Sequence, residues 1–167
     1  QMGNVRLEAL HTPGHTPEHL TFLVFDGARS PDVPVVALTG DFLFVGSLGR
    51  PDLLGEEATR GMAKQAFHSV REKLKNLPDG LEIRPGHGAG SASGGGMAGR
   101  TVSTLGYERL ANPLLDPDLS EDEFVELLLG NLPPAPDFYP RNKVINSEGP
   151  KPVQGMVDLL PEEIEAF

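Results

Sequence analysis

Three residues that could bind a metal ion each follow an apolar, strand-like run. His15 lies in a stretch rich in proline and glycine, Asp41 follows a Thr-Gly pair, and His87 follows a Pro-Gly pair. Imidazole nitrogens and carboxylate oxygens are common ligands of zinc and non-haem iron. Taken alone, a histidine or aspartate after a strand is more commonly a hydrogen-bonded loop residue. Because the three residues follow successive strands of one predicted sheet, their combination predicts a metal centre.

Two further histidines flank the first of these candidates. His11, His15 and His19 are spaced four residues apart, which on a helix would bring all three to one face. Pro13 and Pro17 make a helix here unfavourable, because proline lacks the amide hydrogen and clashes with the preceding turn. The stretch is therefore predicted to be a rigid loop that directs one imidazole to a fixed point. We expect His11 and His19 to support the site rather than to bind the metal.

Strand-like and helix-like patterns alternate along the rest of the chain. The clearest helix pattern has apolar residues at intervals of four and three, acidic residues at its start and basic residues at its end. Ser120 and Glu123 have the spacing of a capping box, which predicts the start of another helix. This order predicts an α/β layered domain. The predicted strands cover residues 5–10, 20–25, 33–38 and 81–83, the predicted helices cover 56–77, 101–111 and a segment from 121, and a glycine-rich loop covers 88–99.

The composition narrows the classes of function. The 167 residues include 24 acidic and 14 basic side chains, for a net charge of −10. This charge argues against nucleic acids and anionic membrane surfaces as partners, because both select for basic faces. The chain has no cysteine, which excludes disulfides, iron–sulfur clusters and cysteine-ligated zinc within it. No apolar run is long enough to span a membrane and no signal peptide is visible. The absence of cysteine fits a reduced compartment, so we predict a cytoplasmic location.

The motifs around the candidate ligands resemble those of the metallo-β-lactamase superfamily. Thr-Pro-Gly-His-Thr at 12–16 is found across that superfamily. Gly-Asp-Phe-Leu-Phe-Val-Gly at 40–46, followed by Gly-Arg-Pro-Asp at 49–52, is similar to the branch of glyoxalase II and persulfide dioxygenases. Pro-Gly-His-Gly-Ala-Gly-Ser at 85–91 resembles bacterial persulfide dioxygenases, which are often fused to rhodanese domains. The stretches 101–108 and 123–150 match the same subgroup.

The resemblance implies a fold and a domain organisation. The expected fold is α/β, the αββα sandwich of the superfamily, with this chain as its C-terminal half only. Residues 1–150 would form that portion, and residues 151–167 would be a linker and the start of a rhodanese domain. The family's His-x-His-x-Asp-His motif is absent from the chain and would lie upstream, so the metal site is expected to be incomplete.

The resemblance also implies a reaction and roles for individual residues. A persulfide dioxygenase oxidises a thiol persulfide, such as glutathione persulfide, with O₂ to give sulfite. One Fe²⁺ in each complete site is held by two histidines and one carboxylate, with open positions for substrate and oxygen. His15 and Asp41 correspond to two of these metal ligands, and the third would come from the upstream motif. His87 is predicted to be a catalytic residue that lines the site, and Arg50 and Tyr107 are predicted to bind substrate.

Three alternatives remain open at the level of sequence. A glyoxalase II-like thioester hydrolase would use two metal ions, with zinc as the alternative to iron and His87 as a ligand. An inactive half-domain would associate with its missing half or with another copy, because half a sandwich exposes a core face; a homo-oligomer is expected on this ground. A metal-free module would bind a thiol ligand without turnover. The number and identity of bound metal ions discriminate between these functions.

Overall fold

The computed structural model describes residues 2–88, 99–134 and 137–149. The chain divides into two compact units, Gln1–Pro134 and Ala135–Phe167. The second unit contains one described helix, α4 (Tyr139–Glu148), which the sequence analysis did not predict. Most of the predicted glycine-rich loop, and the predicted linker and rhodanese start at 151–167, lie outside the described residues. The domain boundary at residue 150 therefore stays a prediction.

The first unit is built on one five-stranded sheet with the strand order β1-β2-β3-β6-β7. Neighbouring strands are antiparallel except for β3 and β6, which run parallel. Two very short strands, β4 and β5, form a separate hairpin. The strands are β1 (Val5–His11), β2 (Leu20–Asp26), β3 (Val36–Gly40), β4 (Leu43–Phe44), β5 (Ser47–Leu48), β6 (Glu82–Pro85) and β7 (Ser103–Thr104).

The strand directions explain how distant ligands come together. Strand β1 is antiparallel to β2, and β2 is antiparallel to β3, so β1 runs in the same direction as β3. Strand β6 is parallel to β3. The ends of β1, β3 and β6 therefore lie at the same edge of the sheet, and each of these strands is followed by one candidate ligand. The predicted convergence of strand ends is confirmed at the level of topology.

The helices begin and end where local side-chain chemistry requires. Helix α1 (Glu56–His68) continues into a π-helical turn at Ser69–Lys73, so the prediction of one regular helix over 56–77 was wrong in its second half. The Ser69 hydroxyl donates a hydrogen bond to the Pro13 carbonyl at 2.7 Å, which ties this turn to the loop after β1. Helix α2 (Leu105–Ala111) begins later than predicted because the Thr104 side chain caps it.

The capping box that the sequence predicts is present. The Ser120 hydroxyl accepts from the Glu123 amide, and the Glu123 carboxylate accepts from the Ser120 amide, at the start of α3 (Glu121–Gly130). The predicted strand over 33–38 is shifted, since β3 begins at Val36. Among the described residues, no helix is long and apolar enough to cross a membrane.

The sheet has one covered face and one open face. Leu23, Phe25, Ala37 and Ile83 are buried on the covered face, in one cluster with residues of α1, α2 and α3. The other face carries apolar side chains that stay 37–43% exposed, as the alternation along β2 requires. The register aligns them in rows across β1, β2 and β3. We call this the open face; its exposed apolar residues are Val5, Leu7, Leu20, Phe22 and Leu38.

Candidate metal centre

The three candidate ligands meet at the edge where β1, β3 and β6 end. The Nε2 atom of His15 lies 3.3 Å from Oδ2 of Asp41, and the Nε2 atom of His87 lies 3.3 Å from Oδ1 of the same aspartate. Asp41 therefore presents one carboxylate oxygen to each histidine. Residues far apart in sequence form this cluster, which the sequence analysis predicted from strand ends alone.

The tautomer of His15 is fixed by the backbone. Its Nδ1 atom lies 2.9 Å from the Arg50 carbonyl oxygen, which can only accept, so Nδ1 carries the hydrogen. In the neutral imidazole, Nε2 then has a lone pair that faces the Asp41 carboxylate. Two electron-rich atoms at this separation repel each other unless a proton or a cation lies between them. Orientation of a metal-binding histidine by a backbone carbonyl is a recurring arrangement in metal sites.

His87 has unsatisfied hydrogen-bonding capacity in the interior of the site. Within the described residues, both of its ring nitrogens are buried and neither makes a well-oriented hydrogen bond, although Nε2 lies 3.3 Å from the Asp41 carboxylate. Its ring packs against that of Phe44, with the centroids 4.6 Å apart. Buried polar atoms without partners are uncommon in proteins and call for a bound group or a water molecule. A metal ion or a substrate at this edge would satisfy the Nε2 atom of His87.

His19 holds the Asp41 backbone rather than facing the carboxylate. The Asp41 amide donates to Nε2 of His19 at 3.1 Å, so Nδ1 carries the hydrogen and donates to the Thr12 hydroxyl at 2.9 Å. Burial, reinforced by the nearby His15, lowers the pKa of His19, which favours the neutral ring that this pattern requires. Gly40 has φ +51°, and a Cβ there would meet the His19 ring at 2.8 Å. His19 thus supports the site, as expected.

The electrostatics keep Asp41 ionised. When Nε2 of His15 also carries a proton, it donates to the carboxylate; this hydrogen bond lowers the pKa of Asp41 and outweighs the opposing effect of burial. His87 acts in the same direction as His15. An ionised carboxylate between two imidazoles is a suitable oxygen ligand for zinc or iron.

The two predicted substrate contacts lie in different surroundings. The Arg50 side chain is fully buried, with 0% exposure; its guanidinium binds the Asp52 carboxylate at 2.6 and 2.8 Å and donates to the Pro133 carbonyl at 3.0 Å. This guanidinium is directed at protein groups, while its backbone carbonyl holds His15. Tyr107 is exposed on α2, and no described hydrogen bond or ion pair connects its side chain to the three candidate ligands. Their contact with substrate stays a prediction.

The donor set fits a metal ion in its chemistry but is partial in its geometry. Within residues 2–88, 99–134 and 137–149, no group of three or more histidine, aspartate or glutamate side chains is arranged to hold a metal ion. The His15–Asp41 and His87–Asp41 pairs share one carboxylate, and each pair could supply two ligands to a metal ion. A further ligand is needed to complete either of them.

The chain is similar to proteins of known class over most of its length. It is 38% identical over 132 residues to the mitochondrial persulfide dioxygenase ETHE1 of Homo sapiens, a match that covers 79% of this chain and 43% of the relative. A metallo-β-lactamase structure from Staphylococcus aureus subsp. aureus COL superimposes with a TM-score of 0.78 at 43% identity, over 93% of this chain and 44% of that one. The chain therefore has part of a metallo-β-lactamase fold and is related in sequence to persulfide dioxygenases.

A hydrolase is also similar to the chain. The hydroxyacylglutathione hydrolase GloC of Haemophilus influenzae is 34% identical over 116 residues, which is 70% of this chain and 43% of the relative. The chain spans less than half the length of ETHE1 and of GloC. No protein-family profile matches the chain. The fold prediction is confirmed, with the chain corresponding to part of a metallo-β-lactamase domain.

Several residues around the candidate ligands were not identified from sequence. Phe44 lies in an uninterrupted apolar run, so its contact with His87 could not be distinguished from ordinary core packing. Thr12 and Thr21 are buried and hydrogen-bonded to each other at 3.0 Å, behind His19. Thr21 lies in the apolar run that becomes β2, where an inward-facing hydroxyl requires a polar partner. This requirement for a polar partner was the one sequence signal that could have identified Thr21.

Proposed function

We propose that the chain carries part of the catalytic site of a persulfide dioxygenase. The observation that supports this most directly is the Asp41 carboxylate facing His15, in a chain 38% identical to a persulfide dioxygenase. In this proposal His15 and Asp41 bind Fe²⁺, one ion in each complete site, and a third ligand comes from outside the described residues. Iron with two histidine ligands, one carboxylate and open positions supplies the activation of O₂.

The proposed reaction oxidises the outer sulfur of a thiol persulfide. One persulfide, one O₂ and one water yield one thiol and one sulfurous acid, which ionises to sulfite. Glutathione persulfide is the substrate that we propose. The Arg50 carbonyl keeps Nε2 of His15 free to bind, and the ionised Asp41 supplies negative charge. We propose His87 as a catalytic residue lining the site, where its unsatisfied nitrogens can hydrogen-bond the substrate.

The test is iron content, measured by mass spectrometry on a longer parent protein that supplies the third ligand and on two variants of it. We expect about one iron per complete site in the unmodified protein and none in His15→Ala or Asp41→Ala, because each change removes a direct ligand. His11→Ala is the matched control, since His11 binds only the Pro17 carbonyl among described residues, and it should keep its iron. Full iron retention by either ligand variant would refute the assignment.

A second candidate function is favoured by the geometry of Asp41. Its two carboxylate oxygens face different histidines, which is the arrangement that a carboxylate bridging two metal ions requires. The similarity to GloC supports a thioester hydrolase of this kind. Two zinc ions per chain and hydrolysis of a hydroxyacylglutathione thioester, without O₂ consumption, would favour the hydrolase. One iron and persulfide-dependent O₂ consumption would favour the dioxygenase.

Partners and location follow from the same proposal. The substrates would be a thiol persulfide and O₂, with no nucleic acid and no membrane surface, in keeping with the net charge of −10. A homo-oligomer in the cytoplasm and a fused rhodanese domain remain predictions. The inactive half-domain also remains open, and an absence of bound metal would favour it.

A further inference from the structure

One ten-residue segment contacts all three candidate ligands. Segment 41–50 begins with Asp41 itself and ends with Arg50, whose carbonyl fixes the tautomer of His15. Midway along it, Phe44 packs against the His87 ring. The β4–β5 hairpin lies inside this segment, and its tip is Gly46 with φ +82°. A shift of the hairpin would therefore disturb all three ligands together.

Helix α2 holds the tip of this hairpin through a buried carboxylate. Oε2 of Glu108 accepts from the Gly46 amide at 2.8 Å and from the Asn112 side-chain amide at 3.3 Å. The same Asn112 amide donates to the Ser47 carbonyl at 3.4 Å. We call Glu108 and Asn112 the hairpin clamp. Both side chains are almost completely buried, at 1% and 2% exposure, so neither can contact a substrate in solution.

The clamp is unusual because its acid is buried without a basic partner among the described residues. Oε1 of Glu108 has no hydrogen-bond partner within them. Burying a polar atom in this way costs free energy, so a role limited to filling the core would be served better by an apolar side chain. A carboxylate oxygen is, however, a strong acceptor for a backbone amide. Gly46 has such an amide at the turn, where it has no partner within its own hairpin pairing.

We propose that Glu108 and Asn112 are positioning residues for the metal centre, acting through segment 41–50. This inference rests on the proposed function, because it takes His15, Asp41 and His87 as the centre. Glu108 fixes the Gly46 amide, Asn112 fixes Glu108 and the Ser47 carbonyl, and the hairpin then fixes Phe44 against His87. Loss of the clamp would loosen the three ligands together while leaving the five-stranded sheet folded.

The first test measures the hairpin directly in the metal-free chain by NMR. In Glu108→Ala we expect hydrogen exchange at the Gly46 amide to accelerate by about ten-fold or more, because it loses a charge-assisted hydrogen bond. The His87 ring signals should shift as the Phe44 ring moves away. Amides of β2 should keep their protection. Glu108→Gln retains an acceptor oxygen and should restore most of the Gly46 protection.

The control is Leu105→Ala, which removes a fully buried side chain from the same helix without touching the clamp hydrogen bonds. If α2 contributed only to general stability, Leu105→Ala would change the Gly46 exchange rate and the His87 ring signals as strongly as Glu108→Ala does. That result would overturn the proposal. Unchanged Gly46 exchange in Glu108→Ala would also overturn it. Should Glu108→Ala fail to fold, Asn112→Ser provides the same test on the second clamp residue.

The second test separates this inference from the proposed function. Co²⁺, used alone as a spectroscopic probe, is titrated into the unmodified chain and into the clamp variants. We expect the dissociation constant for Co²⁺ to rise by about ten-fold in Glu108→Ala and to recover in Glu108→Gln. If no chain binds metal but the NMR changes occur, the proposed function fails and the clamp stands. If all chains bind Co²⁺ equally, the clamp fails.

Discussion

The two faces of the five-stranded sheet carry similar apolar side chains but have different surroundings. On β2, Phe25 belongs to the buried core cluster at 5% exposure, whereas Phe22, three residues earlier, is 39% exposed on the open face. Strand β2 therefore carries apolar side chains on both faces. Burial therefore depends on which layer packs against each face, and strand composition alone does not determine it.

The open face changes character from one side of the sheet to the other. Across β1, β2 and β3 it is apolar, but on β6 it carries Glu82 and Arg84, which pair at 2.6 Å. A contiguous apolar surface of this kind is typical of an interaction surface. The sandwich that the sequence predicted explains why these strands are apolar on both sides. A second layer against the open face would complete it.

The sharpest test of the comparison substitutes the two phenylalanines of β2. Phe25→Ala should lower the free energy of unfolding by about 3–5 kcal/mol, because it leaves a cavity in a packed core. Phe22→Ala should lower it by about 1 kcal/mol or less, since that ring is already partly in water. Urea denaturation at low protein concentration measures both. Equal losses would mean that the open face is covered in solution.

The predicted homo-oligomer can be tested on the open face itself. Replacing Leu7, Phe22 and Leu38 together by lysine should raise the dissociation constant of any oligomer by about a hundred-fold, since charges would be buried at the contact. Sedimentation equilibrium measures this. Leu110→Lys, at an exposed position on α2, is the control and should leave association unchanged. A monomeric unmodified chain would contradict the prediction.

Two arginine–carboxylate pairs extend the comparison to electrostatics. Arg50 with Asp52 and Arg84 with Glu82 are both separated by two residues and both meet at 2.6 Å, but Arg50 is buried and Arg84 is exposed. Asp52→Asn should cost about 2 kcal/mol, because it removes the charged partner of a buried guanidinium. Glu82→Gln should cost less than about 0.5 kcal/mol. Thermal unfolding of both variants checks the difference, and equal effects would contradict it.

The Arg50–Asp52 pair should make the free energy of unfolding depend on pH. The hydrogen bond from Arg50 lowers the pKa of Asp52 below its ordinary value of 3.8. The folded state thus favours the ionised carboxylate, so this contribution is present above about pH 4 and is lost as the pH falls through the folded-state pKa. Asp52→Asn should weaken the fall in stability below pH 4. If the free energy of unfolding of that variant fell below pH 4 as it does in the unmodified chain, other carboxylates would account for the fall.

The parts of the site that the sequence predicted are those governed by strand order. His15, Asp41 and His87 follow strands that run in the same direction. The ends of such strands lie at one edge of the sheet, independently of the conformation of the loops. The parts it missed depend on close packing between distant segments. Glu108 is 62 residues from Gly46, and nothing local marks it as buried. The prediction of a regular helix over 56–77 was wrong from Ser69 onward, where a hydrogen bond to a distant loop accompanies the π-helical turn.

The close crossing of the backbone at Gly49 has a consequence for the order of folding. The Gly49 amide donates to the Phe42 carbonyl at 3.1 Å, and a Cβ at Gly49 would overlap the Asp41 carbonyl. The chain around Asp41 therefore closes on itself within a few residues, which costs little loop entropy. His15 and His87 must arrive over much longer separations, and contacts of that kind form slowly. We expect Asp41 to be in its final conformation early, as a preformed template onto which both histidines dock.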